Sequence, residues 1–261
     1  MLRTRLWTAA IALPTVLAAI VFAPAWFFTI FIAVCGVLGL YEVAAMTGAL
    51  HLVAFPMLAI VGGVPLFGLL YGGDAGPLPP TLVIVAMLGL IARVAARGGS
   101  AGPKGAMLAL LGAAYVGVLF PYFALLRNSA GGVGFVMFML LLAVASDSAA
   151  YFTGRSIGRT PLLPRVSPNK TVEGAIGGLA AAVAAGLILR PQLTPEWKIG
   201  ATIAVSAAIA MLAQLGDLAG SALKRSAGVK DSGWIFPGHG GLIDRTCSLV
   251  FAVVFTYYWI H

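Results

Sequence analysis

Apolar residues occupy this chain in runs too long for a soluble core, and polar residues are confined to the short intervals between them. A helix that crosses a bilayer needs about 20 mostly apolar residues. Nine segments of that kind can be marked, at roughly 6–23, 26–46, 52–72, 80–97, 105–126, 133–154, 173–190, 199–220 and 245–260. The runs are long and do not alternate apolar with polar, which predicts helices rather than a β-barrel. Small residues recur at close spacing within several of them, as at Gly174, Gly177 and Gly178, and such positions let helix backbones approach in lipid. The predicted fold class is all-α, a polytopic integral membrane protein with about nine transmembrane helices.

Composition agrees. The chain is 61% hydrophobic and 9% charged, with a mean hydropathy of +1.01, which excludes an ordinary soluble domain. Arg3 and Arg5 precede an apolar run reaching Ala23-Pro24-Ala25, a pattern that imitates a signal peptide. A second apolar segment follows almost at once, so a first transmembrane helix is the expectation. With the N-terminus in the cytoplasm and nine spans threaded, thirteen of the sixteen Lys and Arg residues fall inside; only Arg127, Arg190 and Lys198 fall outside. That asymmetry is what positive-inside topology requires. Part of the net charge of +8 is therefore a topology signal, and the rest sits where anionic lipid or nucleotide could use it. Cys35 and Cys247 lie in or beside different apolar segments and show no metal-binding or disulfide spacing.

One membrane domain, residues 1–261, describes the chain, with a change of character near residue 130. Residues 1–130 are apolar helices joined by Gly/Pro-rich turns, without a catalytic constellation. Glu42, near the cytoplasmic end of the second span, is read as a carboxylate snorkelling to the interface or pairing with a neighbouring base. Residues 131–261 carry the candidate catalytic helices and two long cytoplasmic loops, about 155–172 and 221–244. Five of the eight acidic residues, Asp147, Glu173, Asp217, Asp231 and Asp244, lie in or next to these loops.

Asp147 lies within the sixth span, and its spacing to Tyr151, Gly154 and Gly158 places all four on one helix face. A carboxylate there must face protein, water or a cation rather than lipid, or pair with an arginine such as Arg155. The loop SPNKTVEG (167–174) sets Ser167, Lys170 and Thr171 just before a helix, where hydroxyls, a lysine and free N–H groups suit an anionic phosphate. Glu173 falls in the first turn of that helix, where the dipole favours a carboxylate; alone, the loop is equally a plain interfacial connection. Asp217, Ser221 and Lys224 form one stripe at the end of the eighth span with Arg225 at its edge, and Asp217 to Lys224 is about 10 Å of rise. That is too long for a direct pair but suited to holding a metal and a phosphate side by side. Lys230, Asp231 and the turn Pro237-Gly-His-Gly-Gly then lead to Asp244 and Arg245. His239 could contact phosphate, act as an acid or simply open the helix, while His51 and His261 are read as solvated.

These pieces carry a resemblance. Ser221-x-Leu-Lys-Arg-x4-Lys-Asp-x-Gly followed by Pro-Gly-His-Gly-Gly-x-x-Asp-Arg resembles the signature of the phosphatidate cytidylyltransferases, the CDP-diacylglycerol synthases. Upstream, Asp147-x-x-Ala-Tyr-x-x-Gly, Ser167-Pro-x-Lys-Thr-x-Glu-Gly and Gln214-x-Gly-Asp-Leu agree with it. The likeness is detailed over the C-terminal half; the N-terminal half shares only its apolar spans. It implies a membrane enzyme that joins CTP and phosphatidate into CDP-diacylglycerol and pyrophosphate for phospholipid synthesis. A bacterial inner membrane is then the expected location, with the active site facing the cytoplasm. Mg2+ held by Asp217 and Asp244 is implied, with room for a second, monovalent cation such as K+. Lys224, Arg225, Lys230, Asp231, His239 and Arg245 are the implied remainder of the catalytic set, and Asp147, Ser167, Lys170, Thr171, Glu173 and Ser221 the substrate-binding one. Homodimers occur in that family, which makes a dimer a reasonable expectation; nucleic acid is not an expected partner. One departure stands out: the family pattern ends Asp-Arg-x-Asp, and this chain places Cys247 at the last position.

The rival readings are another CTP-dependent lipid enzyme, such as an archaeol-type cytidylyltransferase or a polyprenol kinase, and a transporter. Transport predicts paired broken helices in two related halves. No such symmetry is visible, and the charges crowd one face rather than the midplane.

Overall fold

A computed structural model describes residues 2–48, scattered positions between 108 and 119, and residues 120–236 and 240–261. The spans expected at 52–72 and 80–97 and the first part of 105–126 lie outside the described residues, as does His239. What is described is mostly helical: α1 Leu2–Phe22, α2 Ala25–Thr47, α3 Pro121–Asn128, α4 Gly132–Ile157, α5 Val172–Leu193, α6 Ile199–Ser226, α7 Ile243–Thr246 and α8 Val250–Ile260. Between α4 and α5 lies a two-stranded antiparallel hairpin, β1 Pro161–Leu163 with β2 Ser167–Thr171, in which Pro161 faces Thr171 and Leu163 faces Ser167. Among the described residues, α2, α4, α5 and α6 are long and apolar enough to cross a membrane.

Two expected spans are corrected. The segment 245–260 is not one helix: α7 ends at Thr246, a turn occupies 247–249, and α8 begins at Val250. Eleven residues rise only about 16 Å, short of the roughly 30 Å hydrocarbon core. The segment 105–126 is interrupted at Pro121, which opens α3 as a separate helix; a proline has no N–H to continue the preceding ladder.

The residues group into two compact units. The first comprises 1–129 and 223–246. Here the end of α3 clasps the α1–α2 turn: Arg127 donates from Nε to the Ile20 carbonyl at 3.1 Å and from a terminal nitrogen to that of Ala23, and Asn128 donates to Thr29 Oγ1 at 3.0 Å. The Arg127 guanidinium also lies 5.3 Å from the Phe28 ring centre, so the turn is held by charge and packing together. The inner side of α2 carries Gly39, Glu42 and Val43. A side chain at Gly39 would press on Val116, 3.1 Å away, and reach Ile243 at 3.9 Å.

The second unit comprises 130–222 and 247–261. Its framework is α4 against α5, and the glycines of α5 explain how close the two helices come. A Cβ on Gly174 would lie 2.7 Å from the Ala150 carbonyl, one on Gly178 would lie 2.7 Å from that of Ser146, and one on Gly177 would collide with Thr153. The small-residue spacing read from the sequence thus forms a backbone-to-backbone seam, the contact that dispersion and close fit favour in lipid. Far from the hairpin, Trp197 stacks on Phe135 at 5.6 Å and meets Phe138 and Trp259 edge-on, joining α4, α8 and the α5–α6 connection. α6 buries Thr202, Val205, Ser206, Ile209, Ala213, Gly216 and Gly220 along one stripe. Its 28 residues rise about 42 Å, more than the hydrocarbon thickness, and its last turn carries Lys224 and Arg225.

Candidate active site

In the second unit the polar residues gather around the hairpin and the C-terminal half of α6. Thr171 closes β2 and caps α5, its hydroxyl accepting from Gly174 N at 3.1 Å, the arrangement that satisfies an otherwise unpaired helix-start donor. Glu173 reaches back to the start of the hairpin, accepting from Arg159 N at 3.1 Å, Thr160 N at 3.2 Å and Thr160 Oγ1 at 2.9 Å. These contacts fix the hairpin on the helix, and with it Lys170. The Lys170 ammonium meets Asp217 Oδ2 at 2.5 Å, both side chains about one third exposed. The other oxygen, Oδ1, accepts a weak hydrogen bond from the Cys247 thiol at 3.6 Å.

The thiol fits because Gly216 has no side chain; a Cβ there would collide with the Cys247 carbonyl. Asp147 is exposed on α4 and feels the charges of both Asp217 and Lys170. The pairing with Arg155 considered above is not formed: Arg155 donates to the Tyr151 hydroxyl at 2.9 Å. Gly158, expected on the face of Asp147, is the cap beyond the end of α4. Ser167 is half-buried on β2, and Ser221 is half-buried on α6.

In the first unit a second carboxylate meets a second lysine. Lys224, in the last turn of α6, makes a short ion pair with Asp244 Oδ1. Asp244 Oδ2 accepts from Ser232 N at 2.8 Å and Gly241 N at 2.9 Å, with Ser232 Oγ 3.0 Å away. Burial pushes the Asp244 carboxyl up; the hydrogen bond from Lys224, with the N–H groups of Gly241 and Ser232, more than offsets this and holds it below the ordinary carboxylate range. Arg225 is exposed and donates to the Val229 carbonyl at 3.2 Å; Lys230, Asp231 and Arg245 are exposed. The direct partner of Lys224 is thus Asp244, and that of Asp217 is Lys170.

Glu42 is the residue that sequence reasoning misjudged. It neither snorkels to the interface nor pairs with a base among the described residues. It is 2% exposed, and its carboxylate accepts from Leu242 N at 2.7 Å, Ile243 N at 3.0 Å and Ser232 Oγ at 2.7 Å. The one available signal was its class: an ionisable residue inside an apolar span is a site candidate by default.

The donor chemistry suits a hard divalent cation. Asp217 and Asp244 each offer carboxylate oxygen to an ammonium, so each already stands in a cation-accepting arrangement, and oxygen donors of this type are those Mg2+ takes. The Cys247 thiol is a soft group better suited to other metals, and here it serves as a hydrogen-bond donor. Among the described residues no group of three or more His, Cys, Asp or Glu side chains is gathered as a metal cluster.

Comparison with known proteins agrees with the motifs. The profile of the Cytidylyltransferase family matches residues 3–261. Phosphatidate cytidylyltransferase of Bacillus subtilis strain 168 is 41% identical over 151 residues, 57% of this chain and 55% of that protein. The enzyme of the same name from Brucella suis biovar 1 is 46% identical over 126 residues, 48% of this chain and 46% of that protein. The uncharacterised protein YnbB of Escherichia coli K12 is 34% identical over 251 residues, 92% of this chain and 81% of that protein. The chain spans about half the length of the relatives that carry the enzyme name. A match along nearly its whole length, with the motifs built around Lys170, Asp217, Lys224 and Asp244, places this chain in the cytidylyltransferase family.

Proposed function

We propose that this protein transfers the cytidylyl group of CTP to phosphatidate, giving CDP-diacylglycerol and pyrophosphate. The observation that carries the reading is the pair of carboxylate–ammonium contacts, Asp217 with Lys170 and Asp244 with Lys224, in a chain similar to proteins named phosphatidate cytidylyltransferase. In the reaction an oxygen of the phosphatidate monoester bonds to the α-phosphorus of CTP, the bridge to the β-phosphate breaks, and its electron pair leaves with pyrophosphate. The monoester has a second pKa of about 6 and is largely dianionic at neutral pH, so no dedicated base is required. The obstacle is repulsion between two polyanions.

Asp217 and Asp244 are the residues we assign to Mg2+, which when bound supplies the charge neutralisation this step needs. Lys170 and Lys224, now holding those carboxylates, then contact phosphate oxygens, joined by Arg225, Lys230 and Arg245 in stabilising the leaving pyrophosphate. Ser167, Thr171, Ser221, Asp147 and Glu173 shape the substrate side, and Asp231 and His239 complete the catalytic set. A cytoplasmic N-terminus, an inner-membrane location with the site facing the cytoplasm, a monovalent cation such as K+ and a homodimer belong to the same reading.

The test is incubation of purified protein with labelled CTP, with and without Mg2+. Mg2+-dependent CDP-lipid and pyrophosphate with phosphatidate support the proposal. CDP released with a polyprenol instead would make the protein a kinase.

A further inference from the structure

Glu42 lies near the end of α2, 190 residues before Ser232 and about 200 before Leu242 and Ile243, yet all three donate to its carboxylate. One donor is at residue 232 and two are at 242 and 243, immediately ahead of Asp244. Two oxygens that only accept can take three donors at once; an amide would turn an NH2 group toward a backbone N–H. The surroundings are built for this close approach. A Cβ on Gly233 would stand 2.8 Å from Glu42 Oε1, and one on Gly241 would collide with both Glu42 oxygens and with Ser232 Oγ. An anion enclosed to this degree is costly unless its hydrogen bonds are satisfied, and the chain spends those bonds on a single segment.

That segment feeds directly into Asp244. Ser232 Oγ lies 2.7 Å from Glu42 Oε2 and 3.0 Å from Asp244 Oδ2, so one hydroxyl, with a single proton to give and the shorter contact to Glu42, stands between the two carboxylates. Gly241, whose N–H also serves Asp244 Oδ2, is the neighbour of Leu242, which Glu42 holds. The donors gathered on Oδ2 are therefore themselves held in place by Glu42, and Oδ1 is the oxygen turned toward the Lys224 ammonium. We propose that Glu42 is a positioning residue for cytidylyl transfer: through Ser232 and the amides of 242 and 243 it fixes Asp244 with Oδ1 presented to a cation. The inference rests on the proposed function for its catalytic meaning and on the hydrogen bonds alone for its geometry.

The experiment uses the full chain in detergent, unaltered and as Glu42→Gln and Ser232→Ala. Three quantities are read: kcat and KM for CTP with phosphatidate, Mn2+ binding by electron paramagnetic resonance as the divalent-cation probe, and thermal unfolding. Displacing a reacting group by about an ångström can cost roughly 100-fold, so Glu42→Gln is expected to lower kcat on that scale, weaken Mn2+ binding, and leave KM for CTP nearly unchanged. Ser232→Ala, which removes one of the three donors, moves kcat and Mn2+ binding in the same direction by less. Loss of thermal stability with kcat and Mn2+ affinity within about two-fold of the unaltered protein would make Glu42 a purely structural anchor and overturn the proposal. If Glu42→Gln does not fold, Ser232→Ala decides on the same two readings. Should the unaltered protein form no CDP-diacylglycerol, the functional reading fails, and unchanged Mn2+ binding in the variants then separately rejects the positioning role.

Discussion

Asp244→Asn tests the site most directly, because it changes charge at constant shape and its structural and catalytic effects can be separated. The asparagine carbonyl can take the place of Oδ2 and keep the donors Ser232 N and Gly241 N at 2.8 and 2.9 Å. Its NH2 group then faces Lys224, donor against donor. The Lys224 and Asp244 side chains are 12% and 5% exposed, so the abandoned ammonium is poorly hydrated. Breaking such a pair costs about 3–5 kcal/mol, and the retained donors and residual exposure place this variant near the lower end, about 3 kcal/mol. Thermal unfolding in detergent should therefore shift down by several degrees while the protein remains folded at assay temperature. Turnover should nearly vanish, because a neutral amide is a poor partner for a divalent cation. The assay is CDP-diacylglycerol formation from CTP and phosphatidate at saturating Mg2+. Retention of more than about a tenth of kcat, under 1.4 kcal/mol of barrier, would refute the metal assignment, whatever the loss of stability.

Other outcomes follow from the same contacts. Asp217→Asn should also nearly abolish turnover, but with little change in unfolding temperature, because its pair with Lys170 is about one third exposed and such pairs contribute under about 1 kcal/mol; a large stability loss would contradict this. Cys247→Asp should preserve or raise activity with Mg2+ present, and should destabilise the Mg2+-stripped protein, since a second carboxylate would then stand where the thiol now donates to Asp217; a dead variant would show that the thiol has its own role. Acid titration of unfolding should show the Asp244 contribution at full strength above the ordinary Asp value of about 3.9, and its loss only as pH falls through a lower value, the direction a depressed folded-state carboxyl requires. In Asp244→Asn that part of the acid dependence should disappear.

The apolar windows located the helices α1, α2, α4, α5 and α6 to within a few residues, six in the case of the α6 end, because a long apolar helix is specified by local composition. The glycines at 174, 177 and 178 announced close packing for the same reason, and the α4–α5 seam shows it. The window at 245–260 misled: apolarity persists through Cys247–Leu249, where the backbone turns, and no proline marks the break. At the site, spacing could place Asp217 and Lys224 on one stripe of α6 but could not reveal their partners. Those partners, Lys170 and Asp244, lie 47 and 20 positions away along the chain, beyond the reach of helical periodicity.

Residue order and composition alone determined that this is a helical chain suited to a membrane, with its charged and hydroxyl side chains concentrated in two loops. Both properties are local, set by transfer free energy along a segment and by side-chain chemistry within a motif. Tertiary structure alone decided which ammonium meets which carboxylate, where the last span breaks, and that Glu42 is enclosed around the approach to Asp244. Those outcomes depend on loops closing across tens to hundreds of residues, and on buried donors finding acceptors only once the helices have packed.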